Sequence, residues 1–154
     1  PLPCALNDVV VSNAPVSRVI DINLKVNGED VVTYTSDGLI LATPTGSTAY
    51  SLAAGGPIMH PKMEAIIAAP ISPFSLTVRP IVFDAADVLQ LQVTNAKRRA
   101  TLTLDGQVEV PLQHNEVITI TRAKSRAKFV VLPDTSFYSV LRSKLHWGVA
   151  PQGE

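Results

Sequence analysis

The sequence predicts a mainly β protein, a β-sandwich or distorted barrel of many short strands with a few short helices. Three observations carry this: apolar and polar residues alternate with period two, two dipeptides favour tight hairpin turns, and Gly and Pro breakers recur at short spacing. In the clearest alternation, Ile20, Ile22, Leu24 and Val26 interleave with Asp21, Asn23 and Lys25, the pattern of a half-buried strand. Asn27-Gly28 follows and favours a type I′ turn, with 31–35 as the return strand. The second hairpin has Leu102 and Leu104 alternating with threonines, Asp105-Gly106 as the turn, and Val108 and Val110 on the way back. Further strand-like runs are 9–12, 39–42, 80–83, 88–93, 116–121 and 127–132. Helix is expected only at 47–54, closed by Gly55-Gly56, in a short turn near 62–68, and at 137–145, where Phe137, Leu141 and Leu145 repeat at helical spacing.

Composition bounds the possibilities. The chain has 154 residues, about one domain's worth, and its 12 prolines are spread through connections rather than gathered in a linker. Hydrophobic residues make up 46% and charged residues 17%, against a usual charged share of about 25%, which excludes disorder and suggests that a partner covers some surface. Thirteen Lys and Arg balance thirteen Asp and Glu, so no net field draws in a phosphate backbone or an anionic bilayer. Nucleic acid and membrane partners are therefore not expected. Apolar runs such as 66–71 fall short of the roughly 20 residues a spanning helix needs. One cysteine, Cys4, cannot form an internal disulfide and suits a reducing cytoplasm. The start at Pro1-Leu2-Pro3, with no Met or signal-peptide pattern, reads as a chain cut from something longer.

The run from Asp37-Gly38 through Thr43-Pro44-Thr45-Gly46-Ser47-Thr48-Ala49-Tyr50 to Gly55-Gly56 is the most informative chemically. A buried strand enters a loop of Thr, Pro, Gly and Ser, and a helix opens directly after it, so free N–H groups would face whatever fills the loop. Small side chains permit close approach, the hydroxyls of Thr45, Ser47 and Thr48 add short-range partners, and Tyr50 adds a flat face with a polar tip. The plain alternative is an N-capped helix after a turn. Asn7-Asp8 could grip vicinal hydroxyls, the amide donating and accepting and the carboxylate accepting, or could simply form a strand-edge turn. Asp105-Gly106-Gln107 is explained by the hairpin it closes. His60, His114 and His146 lack metal-ligand spacing, no P-loop lysine or Gly-x-Ser-x-Gly elbow occurs, and aromatics at 5% are too few for a base-stacking platform.

Together these segments resemble the NAD kinase family. The resemblance rests on Asp37 to Ile40, Thr43 to Tyr50 and Gly55-Gly56-Pro57-Ile58. It extends to Leu6 to Val10, Pro15 to Arg18, Pro70-Ile71, Ser75-Leu76, Arg79 to Val82, Asp105-Gly106-Gln107 and Leu145-His146-Trp147. It implies that residues 1–154 are one NAD-binding β-rich domain, the C-terminal part of an enzyme that phosphorylates the adenosine ribose 2′-hydroxyl of NAD to make NADP. An N-terminal α/β domain would carry a Gly-Gly-Asp-Gly motif, supplying the ATP phosphate loop and the catalytic base. That motif is absent from this sequence, so no catalytic residue and no metal ligand are expected here, and the chain alone is expected to bind nucleotide without catalysis.

Residue by residue, the resemblance implies that Asn7 and Asp8 hold ribose hydroxyls, Asp8 standing where many members have Glu. Thr48, Ala49, Tyr50, Ser51 and Ala53 would line the adenine and ribose pocket, and Arg18 and Gln107 match further contact positions. Asp37 would reach a site on a neighbouring subunit, implying a homo-oligomer, a dimer or tetramer. ATP and Mg are implied for the full-length enzyme, and the expected location is cytoplasmic. The competing reading is a non-catalytic sandwich kept for oligomer packing or ligand sensing, motivated by the low charge and apolar strand faces.

Overall fold

In a computed structural model of the chain, residues 3–13, 19–94, 100–131, 133 and 135–145 are described. The chain divides into two compact units, Pro1–Lys124 and Ser125–Glu154. The first carries ten strands among the described residues: β1 Asp8–Asn13, β2 Ile20–Val26, β3 Glu29–Ser36, β4 Gly38–Ala42, β5 Ala65–Ile71, β6 Ile81–Asp84, β7 Leu89–Val93, β8 Ala100–Leu104, β9 Val108–Leu112 and β10 Val117–Ile120. A 3₁₀ turn at Thr45–Thr48 and a one-turn helix α1, Tyr50–Ala53, lie between β4 and β5. In the second unit, α2 spans Phe137–Leu145 as its periodicity predicts, with Leu141 buried.

Antiparallel pairing builds two sheets, β6-β5-β4-β1-β8-β9 and β10-β7-β2-β3. Both hairpins take the turn their dipeptides predict. Asn27 and Gly28 sit at φ 52° and 88°, and Asp105 and Gly106 at 49° and 66°, the positive values a type I′ turn demands at both central residues. Asn27 also accepts from the Val88 N–H at 2.9 Å and donates to Asp87 Oδ1 at 2.7 Å, fastening its hairpin to the turn before β7.

The main core forms where alternate residues of the two sheets meet: Val11, Leu39, Leu41, Ile66, Ala68, Leu102 and Leu104 from one, Ile20, Ile22, Leu24, Tyr34, Leu89 and Leu91 from the other. The intervening residues Val10, Ile40, Ala42, Ala65, Ile67 and Ala69 form a second cluster on the outer face of the larger sheet, with Met59 packed against them. β4 is consequently buried at every position, which is why Gly38 to Ala42 reads as an unbroken apolar run.

Three segments differ from expectation. Of the turn expected near 62–68 only its start forms, closed by the Met63 N–H on the His60 carbonyl at 2.9 Å; from Ala65 the chain is strand β5, paired with β4 on one side and β6 on the other. Six of its seven residues are buried, so it shows no period-two pattern, and such a run cannot be told from helix by alternation. Pro70 fits there because the β6 ladder reaches only Ala68, beyond which no N–H is required on that side. The helix expected over 47–54 splits into the 3₁₀ turn and α1, because Ala49 breaks the path at φ −99°, ψ −132°. The strand expected over 127–132 does not form at 127–131, where Phe129, Val130 and Val131 are exposed, and 132 lies outside the described residues. A run of apolar residues such as Phe129, Val130 and Val131 is compatible with a strand, but a strand also needs a ladder partner.

Tyr34 is 1% exposed, and its hydroxyl has no hydrogen-bond partner among the described residues. Desolvation raises its pKa above the usual phenol value. Tyr34→Phe is expected to raise unfolding stability by about 1 kcal/mol, since it removes a desolvated, unpaired hydroxyl without changing the ring. Urea denaturation checks this; a loss of similar size would mean that the hydroxyl is paired.

Candidate functional site

The outer face of the larger sheet is only partly covered. The segment after β4 folds back over β4, and Met59 seals the cluster beneath it. Beside this cover, above β1 and β8, the face stays open as a cleft of about 380 Å³. Its floor is Asp8, Val10 and Ser12, alternate residues on one face of β1, with Thr103 of β8 beside them. Ala49 and Tyr50 form a wall, Asn7 contributes at the entry to β1, and Asp105-Gly106 closes the end.

Hydrogen bonds to two different elements hold the strand entry. The Thr43 N–H donates to the Asn7 carbonyl at 2.8 Å, and the Thr43 hydroxyl donates to the Leu6 carbonyl at 2.7 Å. That hydroxyl also accepts from the Gly46 N–H at 3.0 Å, so one threonine joins the loop to the strand entry. Gly46 lies so close to Asn7 that a Cβ there would collide with the Asn7 carbonyl. From the other side, the Asp105 carboxylate accepts three backbone N–H bonds: Leu6 to Oδ2 at 2.7 Å, and Asn7 and Asp8 to Oδ1 at 2.7 and 3.0 Å. The Asp105 N–H returns a bond to the Asp8 carbonyl at 3.0 Å.

These bonds set the local electrostatics. Burial by itself pushes the Asp105 carboxyl up, but the three N–H donors together outweigh it and hold it below the usual carboxylate range. Asp8 moves the other way. It is 5% exposed, so desolvation raises it, and the nearby Asp105 charge raises it further.

Four residues the resemblance singles out converge on the cleft: Asn7, Asp8, Ala49 and Tyr50. Tyr50 is 49% exposed and lines the cleft. The others lie elsewhere. Thr48 and Ala53 are exposed, and the Thr48 hydroxyl bonds back to the Thr45 carbonyl at 3.4 Å. Ser51 is fully buried; its hydroxyl has no partner among the described residues, and Gly56 packs against it. Gln107 is exposed just past the turn, its N–H bonded to the Leu104 carbonyl at 2.9 Å. Asp37 precedes the opposite end of β4, where its backbone bonds Asn13 and Ile71. Because Ser12 pairs with Gly38 and Asp8 with Ala42, Asp37 lies roughly 15 Å along the strand from the cleft's Asp8 end. Arg18 lies outside the described residues.

Sequence reasoning passed over Thr43, Gly46 and Asp105 as positioners. An Asp-Gly turn looks alike whether its carboxylate is idle or engaged, and Leu6 to Asp8 are nearly a hundred residues away from it. Ser47, whose hydroxyl the sequence offers as a short-range donor and acceptor for whatever fills the loop, instead accepts from the Met59 N–H at 3.0 Å and donates to the Pro44 carbonyl at 2.7 Å, anchoring the loop from within.

Two outcomes follow from this geometry. Gly46→Ala is expected to lose about 1–3 kcal/mol in thermal unfolding, because the loop or the Asn7 backbone must shift. For pH, Asp105 has a lowered folded pKa, so its contribution is present above about pH 3.9 and lost as pH falls through the folded value. Asp8, with a raised folded pKa, has the opposite sign: its ionisation costs stability as pH rises through the folded value. Unfolding midpoints measured from pH 5 to pH 2 should therefore fall less for Asp105→Asn than for the wild type.

The profile of the ATP-NAD kinase C-terminal domain family matches residues 6–132. The NAD kinase of Desulforamulus reducens is 47% identical over 140 residues, 91% of this chain and 49% of that protein. The NAD kinase of Geobacter metallireducens is 42% identical over 143 residues, 93% of this chain and 50% of that protein. The chain thus spans about half the length of the curated relatives it matches. Among solved structures, an NAD kinase from Archaeoglobus fulgidus in complex with ATP aligns with a TM-score of 0.71 at 33% identity, over 78% of this chain and 46% of that one. Yeast NADH kinase complexed with NADH aligns with a TM-score of 0.74 at 26% identity, over 95% of this chain and 43% of that one. The family match takes in the whole sandwich and the cleft on its outer face: the chain belongs to the ATP-NAD kinase C-terminal domain family.

Proposed function

We propose that the chain is the nucleotide-binding part of an NAD kinase, which phosphorylates the adenosine ribose 2′-hydroxyl of NAD with ATP to give NADP. The observation that carries this reading is the convergence of Asn7, Asp8, Ala49 and Tyr50 on one cleft. A ribose diol needs an acceptor for its hydroxyl protons and a neighbour that can also donate; Asp8 and Asn7 supply the pair. A planar ring needs a flat face, which half-exposed Tyr50 offers, and Ala49 leaves room for close approach. The likeness to structures complexed with ATP and with NADH supports a nucleotide as the ligand, and the NADH complex is the one that supports a dinucleotide.

In this reading the phosphate loop and the base belong to an N-terminal α/β domain, consistent with a chain that spans half of its relatives. The cleft does not suit Mg by itself. Both Asp105 oxygens are committed to backbone N–H groups, which leaves Asp8, and among the described residues no three His, Cys, Asp or Glu side chains cluster as a metal site. The cation that accompanies ATP would have to be held chiefly by the triphosphate and by the other domain. Asp37 does not line the cleft of its own chain; it is assigned to the cleft of a second copy, which makes a homo-oligomer part of the proposal.

Calorimetric titration with NAD, alongside a coupled assay for NADP formation, tests the reading. The chain is expected to bind NAD weakly and to transfer no phosphate alone. Asn7→Ala and Tyr50→Ala should each weaken binding about tenfold or more, the effect of losing roughly 1.4 kcal/mol of contact. Unchanged affinity in both variants would instead favour a packing or sensing module.

A further inference from the structure

We infer that Asp105 is a positioning residue for the ligand-binding pair: its carboxylate sets the backbone that presents Asn7 and Asp8 to the cleft. The inference rests on the nucleotide reading above for its ligand and on the hydrogen-bond geometry for its mechanism.

The turn does not need this carboxylate. Asn27 occupies the same first central position in the other hairpin, at φ 52° against 49° for Asp105, and builds the same type I′ turn with an amide. A carboxylate differs from an amide in accepting at both oxygens without donating. Both Asp105 oxygens are used, Oδ2 by the Leu6 N–H and Oδ1 by the Asn7 and Asp8 N–H groups. An amide could keep one of these acceptors and would turn an N–H₂ towards the remaining donor or donors. The carboxylate also has an electrostatic cost, because it sits near the 5% exposed Asp8 and pushes that group's pKa up. Three charge-assisted bonds to consecutive N–H groups offset that repulsion and fix the chain direction where β1 begins.

The fixed segment is the one that must be exact for binding. Asn7 and Asp8 are consecutive residues that both line the cleft, so a small rotation of their peptides moves both relative to a diol at once. Thr43 holds the carbonyls of Leu6 and Asn7 from the β4 side, and Asp105 holds the N–H groups from the β8 side. Loss of Asp105 leaves the first set of bonds in place, so the segment should stay attached but lose its orientation.

Asp105→Asn is the decisive variant, because Asn-Gly retains the turn. Gly28→Ala is its control: it strains the far hairpin at φ 88° without touching the cleft. In ¹H–¹⁵N spectra of the full chain, the amides of Leu6, Asn7 and Asp8 are expected to move upfield together as Asp105 is protonated, and to lie upfield in Asp105→Asn at neutral pH. In NAD titrations, Asp105→Asn should raise Kd about tenfold, whereas Gly28→Ala should lower the melting temperature and leave Kd within twofold. Amides that do not follow Asp105 overturn the tether. So does a folded Asp105→Asn that binds NAD like the wild type, or a Gly28→Ala that weakens binding equally. A wild-type chain that binds no NAD overturns the nucleotide reading, and with it the role of Asp105 towards that ligand, while the amide shifts independently decide whether the tether exists.

Discussion

Two-sided burial of the larger sheet is the constraint on which the rest of this structure depends. β1, β4 and β5 place alternate residues on the core between the sheets and the intervening ones on the opposite face. Each face exposed to water would forfeit on the order of 25 cal/mol per Å² of apolar surface, so the outer face needs a cover. The segment after β4 provides it, with Met59 packed on the outer cluster and the buried Ser47 hydroxyl bonded to the Met59 N–H. The cover is shorter than the sheet is wide. What remains open, above β1 and β8, is the cleft.

The same economy explains the composition of that cleft. Its floor becomes polar where cover is missing, with Asp8, Ser12 and Thr103 around Val10. The two acidic groups of the cleft are supported unequally, because the backbone N–H groups of the strand entry are organised around Asp105. Asp105 collects three N–H donors and ends below the usual carboxylate range, while Asp8, with less support and more burial, ends above it. Two carboxylates in one cleft thus differ in character: Asp105 is occupied holding the chain, and Asp8 lines the floor with a raised pKa. In the nucleotide reading proposed above, Asp8 is the carboxylate left to accept from a diol.

Much of this was legible in the residues. Period-two alternation located β2, β7 and β8, and the Asn27-Gly28 and Asp105-Gly106 dipeptides fixed the two hairpins together with their turn type. The runs from Leu6 to Val10 and from Thr43 to Tyr50 carried the family and five of the residues that meet in the cleft, Asn7, Asp8, Val10, Ala49 and Tyr50. Where the alternation disappears the reading failed. β5 is buried on both faces and so has no period, and 127–131 has an apolar pattern but no ladder to join. The interrupted path at 45–53 was also hidden, because cap-forming residues are compatible with a continuous helix and with a 3₁₀ turn followed by a single helical turn.

Local pattern by itself determined the fold class and the turns, and the motif runs carried the resemblance to the family, because each depends on neighbours within a few residues or on a run long enough to be distinctive. Tertiary structure alone decided which face of β1 stays open and that Ser51 and Ser47 lie inward. It also brought the Asp105 carboxylate onto the N–H groups of Leu6, Asn7 and Asp8. The physical reason is the distance along the chain. A hydrogen bond between residues about a hundred positions apart leaves no periodicity or spacing in the sequence; it exists only because antiparallel pairing of β1 with β8 brings the start of one strand to the end of the other.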